Sequence, residues 1–160
     1  MQNGHSLIES LMVLLLIAIL GTLAAPNLQQ WQARQRLQAA ANMLHQDIGL
    51  ARYQAVIQQR EISIRPRVMN CWACGWRVFP TNQPDVAIVE RSASQTITIG
   101  SNSPWQNGAD YQPNGAAEQV SGAFAAGTLI LCTRGLNQQA RIIISRSGRA
   151  RRGQSSQACL

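Results

Sequence analysis

The sequence predicts an α+β fold, in which a long N-terminal helix packs on an antiparallel β-sheet domain. Two patterns in the 160 residues lead to this prediction. Apolar residues follow helical spacing up to about residue 60, and after Glu61 they alternate with polar residues in short runs. The length fits one domain with one additional element, because two full cores would need a longer chain.

The first part of the helix is an apolar segment, residues 7–25, interrupted near its start by Glu9. As a helix it would be about 28 Å long, close to the roughly 30 Å of the hydrocarbon core, so we predict a transmembrane span there. A carboxylate at the bilayer centre costs on the order of 3 kcal/mol, less near an end. A cleaved secretory signal is one alternative, but residues 1–4 carry no basic residue and Pro26 directly follows the small residues. A plain single-span anchor is another, but it leaves Glu9 without a role.

The third interpretation explains Glu9. The stretch Gly4-His5-Ser6-Leu7-Ile8-Glu9-Ser10, followed by the apolar run and Pro26, resembles the class III leader and N-terminal helix of type IV pilins and pseudopilins. The resemblance implies that a prepilin peptidase removes the leader, residues 1–4, by cutting after Gly4. It implies methylation of the new N-terminus at His5, where the family usually has Phe. Glu9 would then pair with the N-terminal amine of a neighbouring subunit, which supplies the counter-ion that a membrane carboxylate requires.

The second part of the helix carries one apolar stripe with 4-3-4-3-4 spacing. Its members are Leu37, Ala41, Leu44, Ile48, Ala51 and Ala55. We therefore predict a helix over residues 5–60, kinked near Pro26, whose second half lays this stripe on an apolar surface. His45 lies beside the stripe and is expected to be structural.

A β-rich domain over residues 61–160 is predicted from alternating pairs in about six runs. The pairs are Ile62/Ile64, Trp76/Val78, Val86/Ile88, Ile97/Ile99, Leu129/Leu131 and Ile142/Ile144. Residues 104–115 are predicted to form a long exposed connection. Its Trp105 and Tyr111 are expected to pin the loop onto the sheet, with a role as contact residues as the alternative.

Several motifs in the helix and first strands resemble the GspH/FimT family of minor pilins and type II secretion pseudopilins. They are Arg36-Leu37-Gln38, Gly49-Leu50-Ala51-Arg52, Gln58-Gln59-Arg60-Glu61-Ile62-Ser63-Ile64 and Gly75-Trp76-Arg77-Val78-Phe79. The match covers residues 4 to about 80, and the helix-then-sheet order is that of the pilin fold. The resemblance implies a single-pass protein of the bacterial inner membrane with its C-terminal domain in the periplasm, which joins a pilus or pseudopilus with other pilins.

The cysteines Cys71, Cys74, Cys132 and Cys159 are expected to form structural disulfides in an oxidising periplasm. A zinc site would need a second close pair, and a thioredoxin-like redox pair would need a helix after Cys74, where the sequence predicts a strand. Four cysteines allow three pairings. We favour Cys71–Cys74 and Cys132–Cys159, and the second bond would tie the basic end of the chain to the sheet.

Positive charge is concentrated at the C-terminal end. The chain carries a net charge of +7, and all of its 14 basic residues are arginines. Glu118 is the last acidic residue, and the arginines after it are Arg134, Arg141, Arg146, Arg149, Arg151 and Arg152. This distribution excludes a uniformly basic nucleic-acid coat but predicts a basic C-terminal patch.

Within that patch, Gly148-Arg149-Ala150-Arg151 resembles the C-terminal G-R-x-R motif of FimT-type minor pilins, which bind DNA in natural transformation. The resemblance implies that Arg149 and Arg151 contact phosphate, and charge alone adds Arg146 and Arg152. Guanidinium groups bind phosphate in a bidentate fork. The alternative is a basic face that meets acidic pilin surfaces or lipid headgroups. In that case the protein is a structural pseudopilin, similar to type II secretion protein H, or a pilus-priming subunit without DNA binding.

Neither catalysis nor a cofactor is predicted. The sequence offers no nucleophile–base pair and no metal-ligand cluster, and both histidines fall in the predicted N-terminal helix.

Overall fold

A computed structural model of the protein describes residues 7–92, 96–119 and 121–157, without the side chains of residues 20–26 and 103. One long helix, α1, runs from Leu7 to Gln58. An antiparallel β domain follows it. The predicted α+β fold, a long helix packed on antiparallel sheet, is therefore confirmed.

The described β domain contains two antiparallel sheets. The first has the strand order β3-β2-β1-β5-β6, and the second has the order β4-β7-β8-β9. The bounds in the first sheet are β1 Ile62–Val68, β2 Cys71–Pro80, β3 Val89–Ser92, β5 Ala109–Tyr111 and β6 Ala117–Glu118. Those in the second are β4 Ile97–Ser101, β7 Gly127–Thr133, β8 Gln139–Ile144 and β9 Ala150–Ser155.

The apolar stripe of α1 joins the helix to both sheets. Every predicted stripe residue from Leu37 to Ala55 is at most 2% exposed. The stripe shares one core with Ile62 and Ile64 of the first sheet and with Leu129, Ile142 and Ile144 of the second. The helix is thus held by burial of one apolar face, as its spacing predicts.

The number of strands differs from the prediction. Val86 is exposed and precedes β3, which begins at Val89, so the predicted strand at Val86/Ile88 is wrong. Three further strands, β5, β6 and β9, were not predicted. β9 lies at the edge of its sheet and has the sequence Ala-Arg-Arg-Gly-Gln-Ser, which shows no alternation of apolar side chains. Its strand conformation is therefore set by its pairing with β8.

The predicted exposed connection, residues 104–115, is also wrong, because much of it is buried. Trp105 and Tyr111 are fully buried, and Ala109–Tyr111 forms β5 against β1. The indole of Trp105 lies 6.2 Å from that of Trp72, whose Nε1 donates to the Trp105 carbonyl at 2.7 Å. The expectation that the two aromatics pin this segment onto the sheet is confirmed.

The predicted Cys71–Cys74 disulfide is present at the start of β2, with 5.3 Å between the Cα atoms. Cys132 lies in β7. Cys159 lies outside the described residues, so its pairing with Cys132 stays a prediction.

The segment predicted to span the membrane, residues 7–25, forms the first part of α1. The side chains of its last six residues lie outside the described part of the chain. In the part that the structure describes, no helix is both long and apolar enough to cross a membrane.

Candidate nucleic-acid interface

The basic residues of the C-terminal end lie on the hairpin formed by β8 and β9. Arg151 stands opposite Ile143, and Arg152 stands opposite Ile142. Residues directly opposite in an antiparallel pair share a face, and successive residues alternate between faces. Arg151 and Arg152 therefore lie on opposite faces of the sheet.

One face of the hairpin gathers three arginines, which we call the basic face: Arg141, Arg149 and Arg151. Arg141 is two residues before Ile143 in β8, and Arg151 stands opposite Ile143, so both share its side. Arg149, in the turn before β9, lies next to Ile143 and Arg151. Ile143, Ser145, Arg149 and Arg151 line a depression of about 540 Å³ on this side. The structure thus brings together the two arginines of the predicted motif.

Arg141 was not among the predicted contact residues. A signal for it existed in the sequence, because the alternation in Arg-Ile-Ile-Ile sets Arg141 and Ile143 on the side opposite Ile142 and Ile144. Only the pairing of β8 with β9 shows that Arg141 lies on the same side as Arg151 of the motif, and the sequence did not reveal that pairing. Arg141 donates from its guanidinium to Gln139 at 3.2 Å and to Gln157.

The other two predicted contact residues lie away from the basic face. Arg152 shares the side of the buried Ile142. Together with Arg141 it lines a depression beside Gln38 and Ala41 of α1. Arg146 is exposed in the turn between β8 and β9. Their predicted DNA contacts stay predictions.

Gly148 holds the hairpin turn against the first sheet. It has a φ of +75°, and a Cβ added there would lie 2.3 Å from the Gly115 carbonyl oxygen and 2.8 Å from Tyr111 Cε1. The buried Tyr111 hydroxyl donates to the Gly148 carbonyl at 3.0 Å. Only glycine fits both this backbone conformation and this close approach. The glycine of the motif therefore places Arg149 and Arg151, whatever they bind.

Comparisons with known proteins identify the family. A family model described as type II transport protein GspH matches residues 40–148, which is more than half of the chain. The chain belongs to the GspH family. Within it, this protein is a minor pilin or pseudopilin, which confirms the predicted family. None of the curated proteins compared with the chain matches it.

Solved structures of minor pilins have the same fold as this GspH-family chain. The type IV minor pilin FimU of Pseudomonas aeruginosa superposes with a TM-score of 0.64 at 23% identity, over 77% of this chain and 91% of FimU. The minor pseudopilin EpsH from the type 2 secretion system of Vibrio cholerae superposes with a TM-score of 0.56 at 11% identity. That match covers 73% of this chain and 95% of EpsH.

A buried acid that was not predicted from the sequence, Asp47, links α1 of this minor pilin to the first sheet. Asp47 lies between stripe residues Leu44 and Ile48 and accepts a hydrogen bond from Trp76 Nε1 at 2.9 Å. Arg91 of β3 donates to both Asp47 carboxylate oxygens, at 2.9 and 3.1 Å. The hydrogen bond to Asp47 raises the pKa of the Arg91 guanidinium. An acid at helical spacing beside an apolar stripe was the only signal for this contact.

His45 has the structural position that was expected. Its Nε2 lies 3.3 Å from the Ala150 carbonyl oxygen at the start of β9. Glu9 lies in the first turn of α1, and Gly4 and His5 lie outside the described residues. Their predicted roles in processing and assembly stay predictions.

The buried phenol of Tyr111 predicts a loss of stability at alkaline pH. Burial raises the pKa of Tyr111, while Arg52 lowers it by a smaller amount. Because the folded pKa lies above the unfolded value of about 10, the contribution to stability is full below about pH 10 and declines as the pH rises further. Unfolding in urea between pH 8 and 11 should show this decline, and Tyr111→Phe should reduce it. An identical decline in the variant would contradict the assignment to Tyr111.

Proposed function

We propose that this minor pilin joins a filament through α1 and binds DNA, independently of sequence, through the basic face. The observation that carries the DNA proposal is that Arg149 and Arg151 line one depression, on the face of the hairpin that also carries Arg141. Within the described residues, none of the three forms an ion pair with an acidic side chain. Their charge is therefore available to a partner that carries negative charge.

DNA phosphate suits the chemistry of this face. Guanidinium groups bind phosphate in bidentate fashion, and contacts to phosphate fix position without carrying sequence information. Because the proposed contacts are to phosphate, we expect binding independent of sequence. The resemblance of Gly148-Arg149-Ala150-Arg151 to the G-R-x-R motif supports the same partner.

The first part of α1 is the proposed assembly segment. From Leu7 to Ile19 its large apolar side chains are at least half exposed on all sides of the helix. A helix that is apolar all round is stable only when lipid or other helices cover it. We propose that the inner membrane covers it first, and that helices of other pilins cover it in the filament after a prepilin peptidase has cut between Gly4 and His5.

Replacing Glu9 by glutamine is expected to abolish co-purification with other pilins from the native host. In the proposed assembly, its carboxylate pairs with the N-terminal amine of a neighbour inside an apolar interface, where a neutral amide attracts the amine far less. The measurement is crosslinking in membranes followed by purification of the tagged chain. Glu61→Gln, a change of the same kind at an exposed position beyond α1, is the control. Equal recovery of partners with both variants would contradict this role of Glu9.

Replacing both Arg149 and Arg151 by alanine is expected to weaken DNA binding at least roughly tenfold at low salt, because each lost charged hydrogen bond contributes about 1.5–3 kcal/mol. The measurement is a titration of a labelled duplex with the full-length chain in nonionic detergent. Arg34→Ala/Arg134→Ala is the matched control, since it removes the same charge from two exposed positions away from the basic face. Two results count against DNA binding by the basic face: equal affinity of the motif variant and the unchanged protein, or equal losses in both variants.

A structural pseudopilin without DNA binding is the second candidate. The family description as a type II transport protein and the similarity to EpsH favour it. In that case the basic face meets acidic surface on a neighbouring pilin or lipid headgroups. The titration separates the two candidates, because this alternative predicts no difference between the motif variant and its control.

A further inference from the structure

A groove lies beside the basic face, between α1 and the beginning of β9. It has a volume of about 500 Å³. The residues that matter for its chemistry are His45, Gly49, Arg52, Tyr53, Val56 and Arg149. The comparisons assign no ligand to it, and of the three arginines of the basic face Arg149 alone lines it.

The walls of the groove combine an apolar helix surface with cationic side chains. Tyr53 is 59% exposed and Val56 is 41% exposed, although both belong to the part of α1 that packs on the sheets. Arg52 donates from Nε to the Gly115 carbonyl at 3.0 Å, which fixes its guanidinium beside the groove. An exposed aromatic ring near the fixed Arg52 guanidinium suits a planar ligand that carries negative charge.

Gly49 keeps the groove open. Glycine inside a helix is about 1 kcal/mol less stable than alanine, and a Cβ added at Gly49 would meet nothing within 4 Å. Packing therefore does not require glycine there. A larger side chain at this position would project into the groove without displacing the core.

Arg149 connects the groove to the basic face. It lines both the groove and the depression that contains Arg151 and Ile143. A nucleic-acid backbone held by Arg149 and Arg151 therefore passes the mouth of the groove. A base can enter only if it is unpaired, because a base within a duplex is stacked and paired.

We infer that the groove receives an unpaired base of single-stranded DNA, stacked on Tyr53, while Arg149 and Arg151 hold the adjoining phosphates. This inference rests on the proposed DNA binding and adds the class of DNA preferred. Stacking on an aromatic side chain tolerates any base, so the groove adds affinity without adding sequence specificity.

The test compares a single-stranded oligothymidylate with a duplex of equal length, using the full-length chain in nonionic detergent. Gly49→Leu should lower the ratio of single-strand to duplex affinity by roughly tenfold, because it fills the groove. Ala39→Leu, which adds a similar side chain at an exposed position on the same helix, should leave the ratio within about twofold of its original value.

Tyr53 provides an independent variant at an exposed position, where folding is not at risk. Tyr53→Ala should also lower the ratio by roughly tenfold, and Tyr53→Phe should retain it because the ring remains. An unchanged ratio in both Gly49→Leu and Tyr53→Ala would overturn the inference. The inference would also be overturned if Gly49→Leu weakened the binding of an oligoglutamate peptide and left single-strand binding unchanged. The occupant of the groove would then be an acidic segment of protein.

Failure of this inference is distinguishable from failure of the proposed function. One outcome is that Arg149→Ala/Arg151→Ala weakens the binding of both single-stranded and duplex DNA, while Gly49→Leu and Tyr53→Ala leave the ratio of the two affinities unchanged. In that case the basic face binds DNA and the groove does not. If the arginine variant changes neither affinity, DNA binding itself is wrong.

Discussion

Gly148→Ala should lower the free energy of unfolding by about 3 kcal/mol, from about 1–2 kcal/mol of left-handed backbone strain and a similar cost of forced repacking. The strain follows from the φ of +75°, and the repacking follows from a Cβ placed 2.3 Å from the Gly115 carbonyl oxygen. The hairpin turn would have to move away from the β5–β6 turn, and the hydrogen bond from Tyr111 would lengthen. Urea unfolding of the oxidised chain in detergent measures the change.

Gly135→Ala is the matched control for this prediction. Gly135 has a φ of +81°, close to that of Gly148, but a Cβ added there meets nothing within 4 Å. It should therefore show the backbone strain alone, about 1–2 kcal/mol. Equal losses in the two variants would mean that the close approach to Gly115 contributes nothing, and the account of Gly148 would be wrong.

Arg91→Ala should lower the free energy of unfolding by about 3 kcal/mol, the lower end of the range for breaking a buried ion pair. The Asp47 side chain is only 3% exposed and would keep the hydrogen bond from Trp76 as its remaining described side-chain contact. The Arg91 side chain is 40% exposed, so its own desolvation contributes little to the change in the free energy of unfolding. Urea unfolding at neutral pH measures this loss.

Two further variants test the cause of that loss. Asp47→Asn in the Arg91→Ala background should recover part of it, because the amide still accepts from Trp76 and no charge remains buried. Arg67→Ala breaks an exposed pair with Glu90, whose side chains are 45% and 44% exposed, and should cost under about 1 kcal/mol. A loss in Arg91→Ala as small as that in Arg67→Ala would contradict the cost assigned to the buried Asp47 charge.

The helix and its buried stripe were predictable because their signal is periodic and local. The spacing from Leu37 to Ala55 alone identifies the buried face, since residues three and four positions apart lie on the same face of a helix. β5 and β9 were not predictable in this way. β5 has three residues, and β9 has polar side chains and is set by pairing with β8, which depends on contacts distant in sequence.

The grouping of arginines at the candidate site was predictable from the sequence, but their distribution over the two faces of the sheet was not. Composition and the motif pointed to Arg149 and Arg151, yet they did not show that Arg152 stands opposite the buried Ile142 while Arg141 shares the side of Ile143. That separation depends on strand register, because one residue of shift exchanges the two faces. Asp47 shows the same limit, since its partners Trp76 and Arg91 come from β2 and β3.

The salt dependence of DNA affinity is the decisive measurement for DNA binding through the basic face, because its slope counts the phosphates that the protein neutralises. Three contacts by Arg141, Arg149 and Arg151 predict a slope of log affinity against log salt concentration of about −2.7 for duplex DNA. Arg149→Ala/Arg151→Ala should reduce it to about −0.9, whereas Arg34→Ala/Arg134→Ala should retain the original slope. The same slope in the motif variant as in the unchanged protein would contradict DNA binding through the basic face.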